Sequence, residues 1–338
     1  MALEGTRPDA PLTVAALRRL LASLQRKPSR GELACASAIA LLVLLNVLGY
    51  AFTPVSFGGW DTVPLLQLLP FFALTAFVPT SLSPLIARFG SALTMILAVM
   101  VLTIGVCYFA IALSAPFPLA DPAFTRWDAM LGFDWPSVVL WIDGYERLAD
   151  FLLWTYTTFD KQLVLLPLLL CVLGCSERAF AGILAFVLIV LGAALLSIAF
   201  PAIGANRFHG METFTHVNPH FGMIFGPHVE AVRAGPFELR MIESTGILAF
   251  PSVHAAGAVL CAWLAWGSLV LRVPLAALNA AMAASAIPMG AHYLVDVLAG
   301  IILAVVAIAV ARRIVPIPSG TPERDALRAW RGRGASAA

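Results

Sequence analysis

The chain has 338 residues, of which 60% are hydrophobic and only 12% are charged, and its mean hydropathy is +0.90. A soluble domain usually carries about 25% charged residues, so this composition excludes an ordinary soluble protein and predicts an integral membrane protein. The net charge of +2 and the crowding of basic residues near the chain ends leave no basic surface of the kind that binds nucleic acid, so we expect no nucleic-acid partner.

Apolar runs long enough to cross a bilayer predict an all-α, polytopic bundle of about eight spans, since one span needs about 20 apolar residues. The candidate runs are 33–53, 61–80, 90–114, 151–174, 179–201, 252–271, 274–290 and 292–312. We expect a basic leader at 1–32, two accessory helices at 33–89, a six-helix core at 90–312 and a basic tail at 313–338.

Basic residues in the short connections predict the orientation, because Arg and Lys are retained preferentially on the cytoplasmic side. With eight spans, these residues and both termini fall on one side, in the inner or plasma membrane. The residues are Arg88, Arg178, Arg272, Arg312 and Arg313. The long connections 115–150 and 202–251 then lie on the outer side, where the sixth and eighth spans begin.

The five cysteines predict neither a disulfide framework nor a zinc site. They fall in or beside apolar runs, where a thiol packs as a small hydrophobic group, and they lack paired metal-ligand spacing. They are Cys35, Cys107, Cys171, Cys175 and Cys261.

The fourth candidate span contains charges well inside its apolar run. Asp160 and Lys161 are adjacent, and adjacent residues point about 100° apart on a helix, so they form no ideal ion pair. Two interpretations stay open. They line the polar end of an internal cavity with Tyr156 and Gln162, which we favour, or the span begins later and leaves them at the interface.

The connection at 202–251 holds four of the six histidines, which invites a metal interpretation. They are His209, His216, His220 and His228. Pro219 argues against a regular helix through His216 and His220, and no cysteine or regularly spaced carboxylate joins them. We therefore expect no metal here and favour a lid or a substrate-facing surface.

The start of the sixth span, FPSVHAA, combines a helix cap with a histidine. Ser252 after Pro251 is a plausible N-cap, so its hydroxyl and the first-turn N–H groups would face outward together with His254. Such a helix start can receive an anion such as phosphate. The alternative is a purely structural cap.

The start of the eighth span, GAHYLVD, places His292 four residues before Asp296. On a helix these side chains share one face, so the carboxylate can hold one imidazole N–H and leave the other nitrogen as a base or nucleophile. An ionisable pair in a membrane protein is a candidate functional site. A pair that only caps the helix is the alternative.

The two motifs together resemble the type 2 phosphatidic acid phosphatase superfamily of membrane lipid phosphatases and phosphotransferases. That family has a Pro-Ser-x-His motif and a later Ser-Arg-x5-His-x3-Asp motif. The resemblance implies that His292 is the nucleophile that becomes phosphorylated, that Asp296 orients it, that His254 is the proton donor and that Ser252 lines the phosphate. It implies no cofactor and no metal.

Two departures from the family pattern concern phosphate-binding cations. The family's Lys-x6-Arg-Pro motif is absent, because neither Lys27 nor Lys161 has an arginine seven residues later, and the later Ser-Arg position reads Ser285-Ala286. This pattern resembles the branch that contains inositol phosphorylceramide synthases and is related to sphingomyelin synthases. DPAFTRWDAMLGFDWP and YTTFDKQ also resemble bacterial members of that branch.

A phosphoryl transition state still needs positive charge. The resemblance to the same branch favours Arg233 as the replacement cation, with Arg240 second. A solvated loop arginine is the alternative for either residue.

The resulting hypothesis is a membrane lipid phosphatase or phosphotransferase that acts at the outer face. Its expected partners are the bilayer, a phosphorylated lipid, and water or an alcohol acceptor, and the transferred group could be a phosphoalcohol such as inositol phosphate. The sequence leaves hydrolysis and headgroup transfer open. The alternative is a non-enzymatic transporter or scaffold, although no internal repeat of the transporter kind is visible.

Overall fold

The computed structural model describes residues 27–58, 84–240 and 243–317, and within them the regular secondary structure is helical apart from one pair of short strands. In chain order the elements are α1 (Arg30–Phe52), β1 (Val55–Phe57), α2 (Pro84–Leu113), α3 (Asp121–Met130), α4 (Trp135–Asp143), α5 (Glu146–Tyr156), α6 (Phe159–Val172), α7 (Ser176–Ala199), α8 (Ala205–Phe208), α9 (His220–Ala234), β2 (Phe237–Leu239), α10 (Val253–Ala265), α11 (Arg272–Gly290) and α12 (Leu294–Ile314). The predicted all-α bundle is confirmed.

Five helices in the described part of the chain are long and apolar enough to cross a membrane, namely α1, α2 (from Leu85), α7, α11 and α12. They correspond to five of the eight predicted spans. The predicted span 61–80, most of the leader and most of the tail lie outside the described residues. The sixth predicted span, 252–271, is wrong in length, because α10 is an apolar helix of only 13 residues.

The fourth predicted span, 151–174, is wrong as one helix, since the structure divides it into α5 and α6 around Thr157 and Thr158. The hydroxyls of Thr155, Thr157 and Thr158 each donate to the carbonyl oxygen three residues earlier, at 2.6–2.9 Å. Local bonds of this kind compete with regular helix bonding. Thr157 at this break lines an internal cavity, and irregular backbone in membrane proteins is tolerated at such positions.

Helix α7 lies at the centre of the bundle and packs against α1, α2, α6, α10 and α12. Two of its glycines allow side chains of neighbouring helices to approach closely. A Cβ on Gly182 would stand 2.5 Å from Leu264, and one on Gly192 would stand 2.7 Å from Leu303. Small residues at such contacts let membrane helices pack closely.

Basic residues from separate connections meet at one end of the bundle. Arg88 donates to the Ser176 hydroxyl, and Arg178 donates to the backbone of Trp263 and lies over its ring. Arg312, in the last turn of α12, acts electrostatically on Arg178. This arginine cluster therefore lies about 30 Å from the start of α12, given 1.5 Å per residue.

The strand pair connects the end of α1 to the segment that precedes α10. β1 and β2 are parallel, with Ser56 opposite Glu238. Tyr108 of α2 fixes the chain after β2, since its hydroxyl accepts the N–H of Thr245 at 3.3 Å and bonds His228 Nδ1 at 2.8 Å.

Candidate active site

His292 and Asp296 form a buried pair where α11 gives way to α12. Ala291 adopts a left-handed conformation with φ of 53° and ends α11, so His292 lies just before α12. Asp296 Oδ2 accepts the N–H of Tyr293 at 2.9 Å and lies 3.3 Å from His292 Nδ1. A carboxylate can only accept, so the imidazole proton lies on Nδ1 and Nε2 is left with a free lone pair.

The PSVH motif lies against this pair through backbone contacts. Ser252 is the N-cap of α10, and its hydroxyl accepts the N–H of Ala255 at 3.2 Å. The N–H of Ser252 donates to the carbonyl oxygen of Asp296 at 3.0 Å. The structure thus brings together two motifs that are about 40 residues apart in sequence.

His254 follows one residue into α10 and is held between aromatic rings. Its imidazole stacks on Tyr156 with ring centroids 4.0 Å apart and planes within 10°. Phe159 contacts it at 4.8 Å, with the rings tilted. Because Tyr156 and Phe159 flank the break between α5 and α6, that break sets the position of the His254 ring.

His254 and His292 line one cavity of about 350 Å³. One part of its wall is polar and includes Tyr156, Thr157 and Asp160, whereas another part is apolar and comes from α2, α6 and α7. Neither Lys nor Arg is among the described residues that line it. A polar wall and an apolar wall in one cavity suit an amphipathic ligand.

Ser252, Arg233 and Arg240 do not line this cavity. Arg233 donates to the carbonyl oxygens of Ser114 and Phe117 at 2.7 and 2.6 Å, and to the Ser114 hydroxyl. Arg240 is exposed and pairs with Glu238 and Glu243. These contacts favour structural roles for both arginines instead of a phosphate contact.

Of the four polar residues around the α5–α6 break, two line the cavity and two do not. The four are Tyr156, Asp160, Lys161 and Gln162. Tyr156 and Asp160 line the cavity, as predicted, whereas Lys161 is absent from its lining; Asp160 and Lys161 are both exposed. Gln162 is buried beside the cavity, where it donates to Thr158 at 2.9 Å and accepts from Asn279 at 2.8 Å. The roughly 100° turn per residue of a helix explains why these neighbours point in different directions.

Two carboxylates of α3 that belong to neither sequence motif also support the site. Asp128 accepts the N–H groups of Leu294 and Val295 at 2.8 and 2.9 Å, so it caps α12. Asp121 accepts the N–H of Gly204 and the hydroxyl of Tyr293, both at 3.1 Å. The sequence does contain one indication of their role. The two carboxylates are seven residues apart, which is about two helical turns, so they share one face of the short helix α3.

Two histidines of the 202–251 connection, His209 and His228, contact different partners. His209 stacks on Trp135, whose indole N–H donates to the carbonyl oxygen of His292 at 3.1 Å. His228 bonds Tyr108, and burial lowers the pKa of both His209 and His228. The side chain of His220 lies outside what the structure describes. Within 27–58, 84–240 and 243–317, no three His, Cys, Asp or Glu side chains form a group that could hold a metal.

Comparison with known proteins gives one match. The model of the PAP2 superfamily matches residues 122–310, which is more than half of the chain and extends from α3 into α12. No curated protein and no solved structure matches the chain. The matched segment includes Ser252, His254, His292 and Asp296, and the chain therefore belongs to the PAP2 superfamily.

Proposed function

We propose that the protein transfers the phosphoryl or phosphoalcohol group of a phosphorylated lipid through a covalent phosphohistidine at His292. Membership of the PAP2 superfamily makes the chain a membrane enzyme that acts on phosphate esters. The observation that carries the finer proposal is the shared cavity, which is lined by His254 and by His292, has polar and apolar walls, and lies beside the buried Asp296 that holds His292.

In the first step, the Nε2 lone pair of His292 attacks the phosphorus and forms a P–N bond. The P–O bond to the leaving alcohol breaks, and protonated His254 donates its proton to that oxygen. Asp296 stabilises the positive charge that develops on the His292 ring, because it lies against Nδ1. The bonds and protons of this step balance without a metal or a cofactor.

In the second step, water or an alcohol attacks the phosphohistidine. Neutral His254 takes the proton of the attacking O–H group as the new P–O bond forms and the P–N bond breaks. Water gives hydrolysis, and a lipid hydroxyl gives transfer of a phosphoalcohol headgroup such as inositol phosphate. Both outcomes use the same residues.

The role of Ser252 in this proposal is to position the two histidines. Its hydroxyl caps α10 and its N–H holds the carbonyl oxygen of Asp296, so it fixes the start of α10 against the first turn of α12. The site would act at the outer face, since the arginine cluster lies at the opposite end of α12 and basic residues favour the cytoplasmic side.

The test uses the purified full-length protein in lipid–detergent micelles, with chelator present and with both lipid phosphate monoesters and phosphodiester lipids. Free phosphate and headgroup transfer are followed together for wild type, His292→Ala and the control His216→Ala, which removes an exposed loop histidine. We expect the His292 variant to lose activity by at least about 10³-fold, and the control to match wild type.

Trapping of labelled protein supplies a second measurement. After incubation with a lipid labelled in its phosphate group, wild-type protein should carry an acid-labile, alkali-stable label. The His292→Ala protein should carry none. A folded wild type that turns over none of these lipids would support a transporter or scaffold instead, and full activity of His292→Ala would exclude the histidine mechanism.

A further inference from the structure

The charge of the cavity wall is unusual for a site that handles phosphate. Among its described lining residues, Asp160 is the one carboxylate, and there is no Lys or Arg to oppose it. The two histidines are the only other titratable groups there that can carry positive charge. The missing family cations are therefore not replaced from elsewhere in the described wall.

Asp160 lies in the first turn of α6, directly after the break that opens the helix. Within the described residues its carboxylate has no hydrogen-bond donor, and the charge that acts on it is that of Lys161, which is exposed outside the cavity. A carboxylate is stabilised at a helix N-terminus, but its oxygens remain available to a ligand.

Tyr156 is a neighbour of both Asp160, whose charge acts on it, and the histidines. Its ring stacks on His254, and a Cβ on Gly290 would stand 3.0 Å from the Tyr156 hydroxyl and 2.8 Å from His292 Cδ2, so Tyr156 and His292 are close neighbours. Asp160 follows Tyr156 by four residues. Asp160, Tyr156 and the two histidines therefore line one and the same cavity.

This arrangement disfavours a phosphate monoester. A monoester carries a charge of about −1.5 to −2 at neutral pH, and the Asp160 carboxylate, although exposed, repels a dianion more strongly than a monoanion. A phosphodiester carries a single negative charge, and hydroxyl or ammonium groups on its alcohol would give Asp160 the hydrogen-bond donors that it lacks.

We propose that Asp160 recognises the alcohol part of a phosphodiester lipid, accepting hydrogen bonds from its hydroxyl or ammonium groups, and so selects headgroup donors over phosphate monoesters. This inference rests on the proposed function of the same cavity. It assigns Asp160 to specificity and leaves attack and proton transfer to His292 and His254.

The test compares four lipids with identical acyl chains: a phosphate monoester, a methyl phosphodiester without donors, a polyol phosphodiester and an ethanolamine phosphodiester. We measure kcat/KM for wild type, Asp160→Asn and Asp150→Asn. The last variant makes the same chemical change at an exposed residue of α5 that does not line the cavity.

We expect wild type to prefer at least one donor-bearing diester over the methyl diester by about tenfold, the size of one charge-assisted hydrogen bond. In Asp160→Asn that preference should be lost, and the ratio of kcat/KM for the monoester to kcat/KM for the methyl diester should rise. Asp150→Asn should match wild type. The preferred donor, polyol or ammonium, identifies the alcohol.

A binding measurement separates this inference from the proposed function. The four lipids compete with a fluorescent lipid for the His292→Ala protein, with and without Asp160→Asn. A headgroup preference that depends on Asp160 supports the inference even if no turnover is found. Two outcomes would overturn the inference and leave the proposed function intact. In the first, the protein turns over lipid through His292 but prefers the monoester. In the second, it turns over lipid through His292 and Asp160→Asn has the same substrate preference as wild type.

Discussion

Gly300 of α12 lies directly against the carbonyl group of Ser252, so that a Cβ at residue 300 would overlap the carbonyl oxygen. One turn earlier on α12, the carbonyl oxygen of Asp296 accepts the N–H of Ser252. The starts of α10 and α12 therefore meet backbone to backbone. This contact decides how closely the PSVH and HYLVD motifs approach each other.

Gly300→Ala should accordingly disturb both stability and activity. The added methyl group faces backbone on the other helix and cannot be accommodated by a rotamer change, so we expect a loss of about 1–3 kcal/mol in stability and a fall in turnover of at least tenfold. Thermal unfolding in micelles and lipid turnover measure these effects. Gly144→Ala is the control, because a Cβ there would come no closer than 3.3 Å to the carbonyl oxygen of Trp141, whereas a Cβ at residue 300 would stand 2.3 Å from that of Ser252. Wild-type behaviour of Gly300→Ala would show that the helices can separate at no cost.

Asp128→Asn should loosen the start of α12. Asp128 uses both carboxylate oxygens, one for each of two N–H groups, whereas asparagine keeps one acceptor and turns an NH₂ group toward the other N–H. We expect a loss of about 1–3 kcal/mol and faster hydrogen exchange at Leu294 and Val295. Asp150→Asn on the exposed face of α5 should change neither. Unchanged exchange in Asp128→Asn would mean that the cap contributes nothing.

Arg233→Ala distinguishes a structural arginine from a phosphate-binding one. The guanidinium holds the backbone after α2 at Ser114 and Phe117, so its removal should lower the melting temperature. The KM of the remaining folded protein should stay within about twofold of wild type. Unfolding and lipid kinetics on the same samples test this. A raised KM with unchanged melting would instead support the phosphate role that the sequence suggested.

The Asp143 carboxylate should make one loop sensitive to acid. Burial alone would raise the pKa of Asp143, but hydrogen bonds from the N–H groups of Val217, Thr215 and His216 bring it below its usual value. Because the folded pKa is lowered, the stabilisation is present above the unfolded pKa of about 3.9 and is lost as the pH falls through the folded value.

Hydrogen exchange at residues 215–217 across this acidic range measures the effect. Protection should decrease as the pH falls in wild type, after correction for intrinsic exchange. In Asp143→Asn protection should be weak at every pH. Protection that does not depend on pH in wild type would contradict the assignment.

The sequence was sufficient to predict membrane location, the all-α fold and the two histidine motifs, since each depends on local features. Apolar run length predicted five helices that the structure contains. Run length alone wrongly predicted a single helix at 151–174. Hydropathy does not register the threonine hydroxyls that bond to the backbone where α5 ends and α6 begins. The length of α10 was overestimated because apolar residues continue in the sequence beyond the last turn of the helix.

The prediction of Arg233 and Arg240 as phosphate-binding cations shows a different limit of sequence-based reasoning. Both lie in the right connection by sequence, but the direction of a guanidinium depends on which backbone carbonyls its tertiary neighbours offer. Asp121 and Asp128 were overlooked for the converse reason. Their partners are N–H groups more than 80 residues away, and no local pattern encodes such partners.

The sequence by itself determined what kind of protein this is, because burial of apolar helices in a bilayer and the i, i+4 spacing of His292 and Asp296 depend on chain composition and helix geometry alone. Only the tertiary structure decided which polar groups face the cavity. That depends on close packing of α10 against α12 and on the break before α6, which together place His254, His292 and Asp160 around one space and hold the arginines away from it.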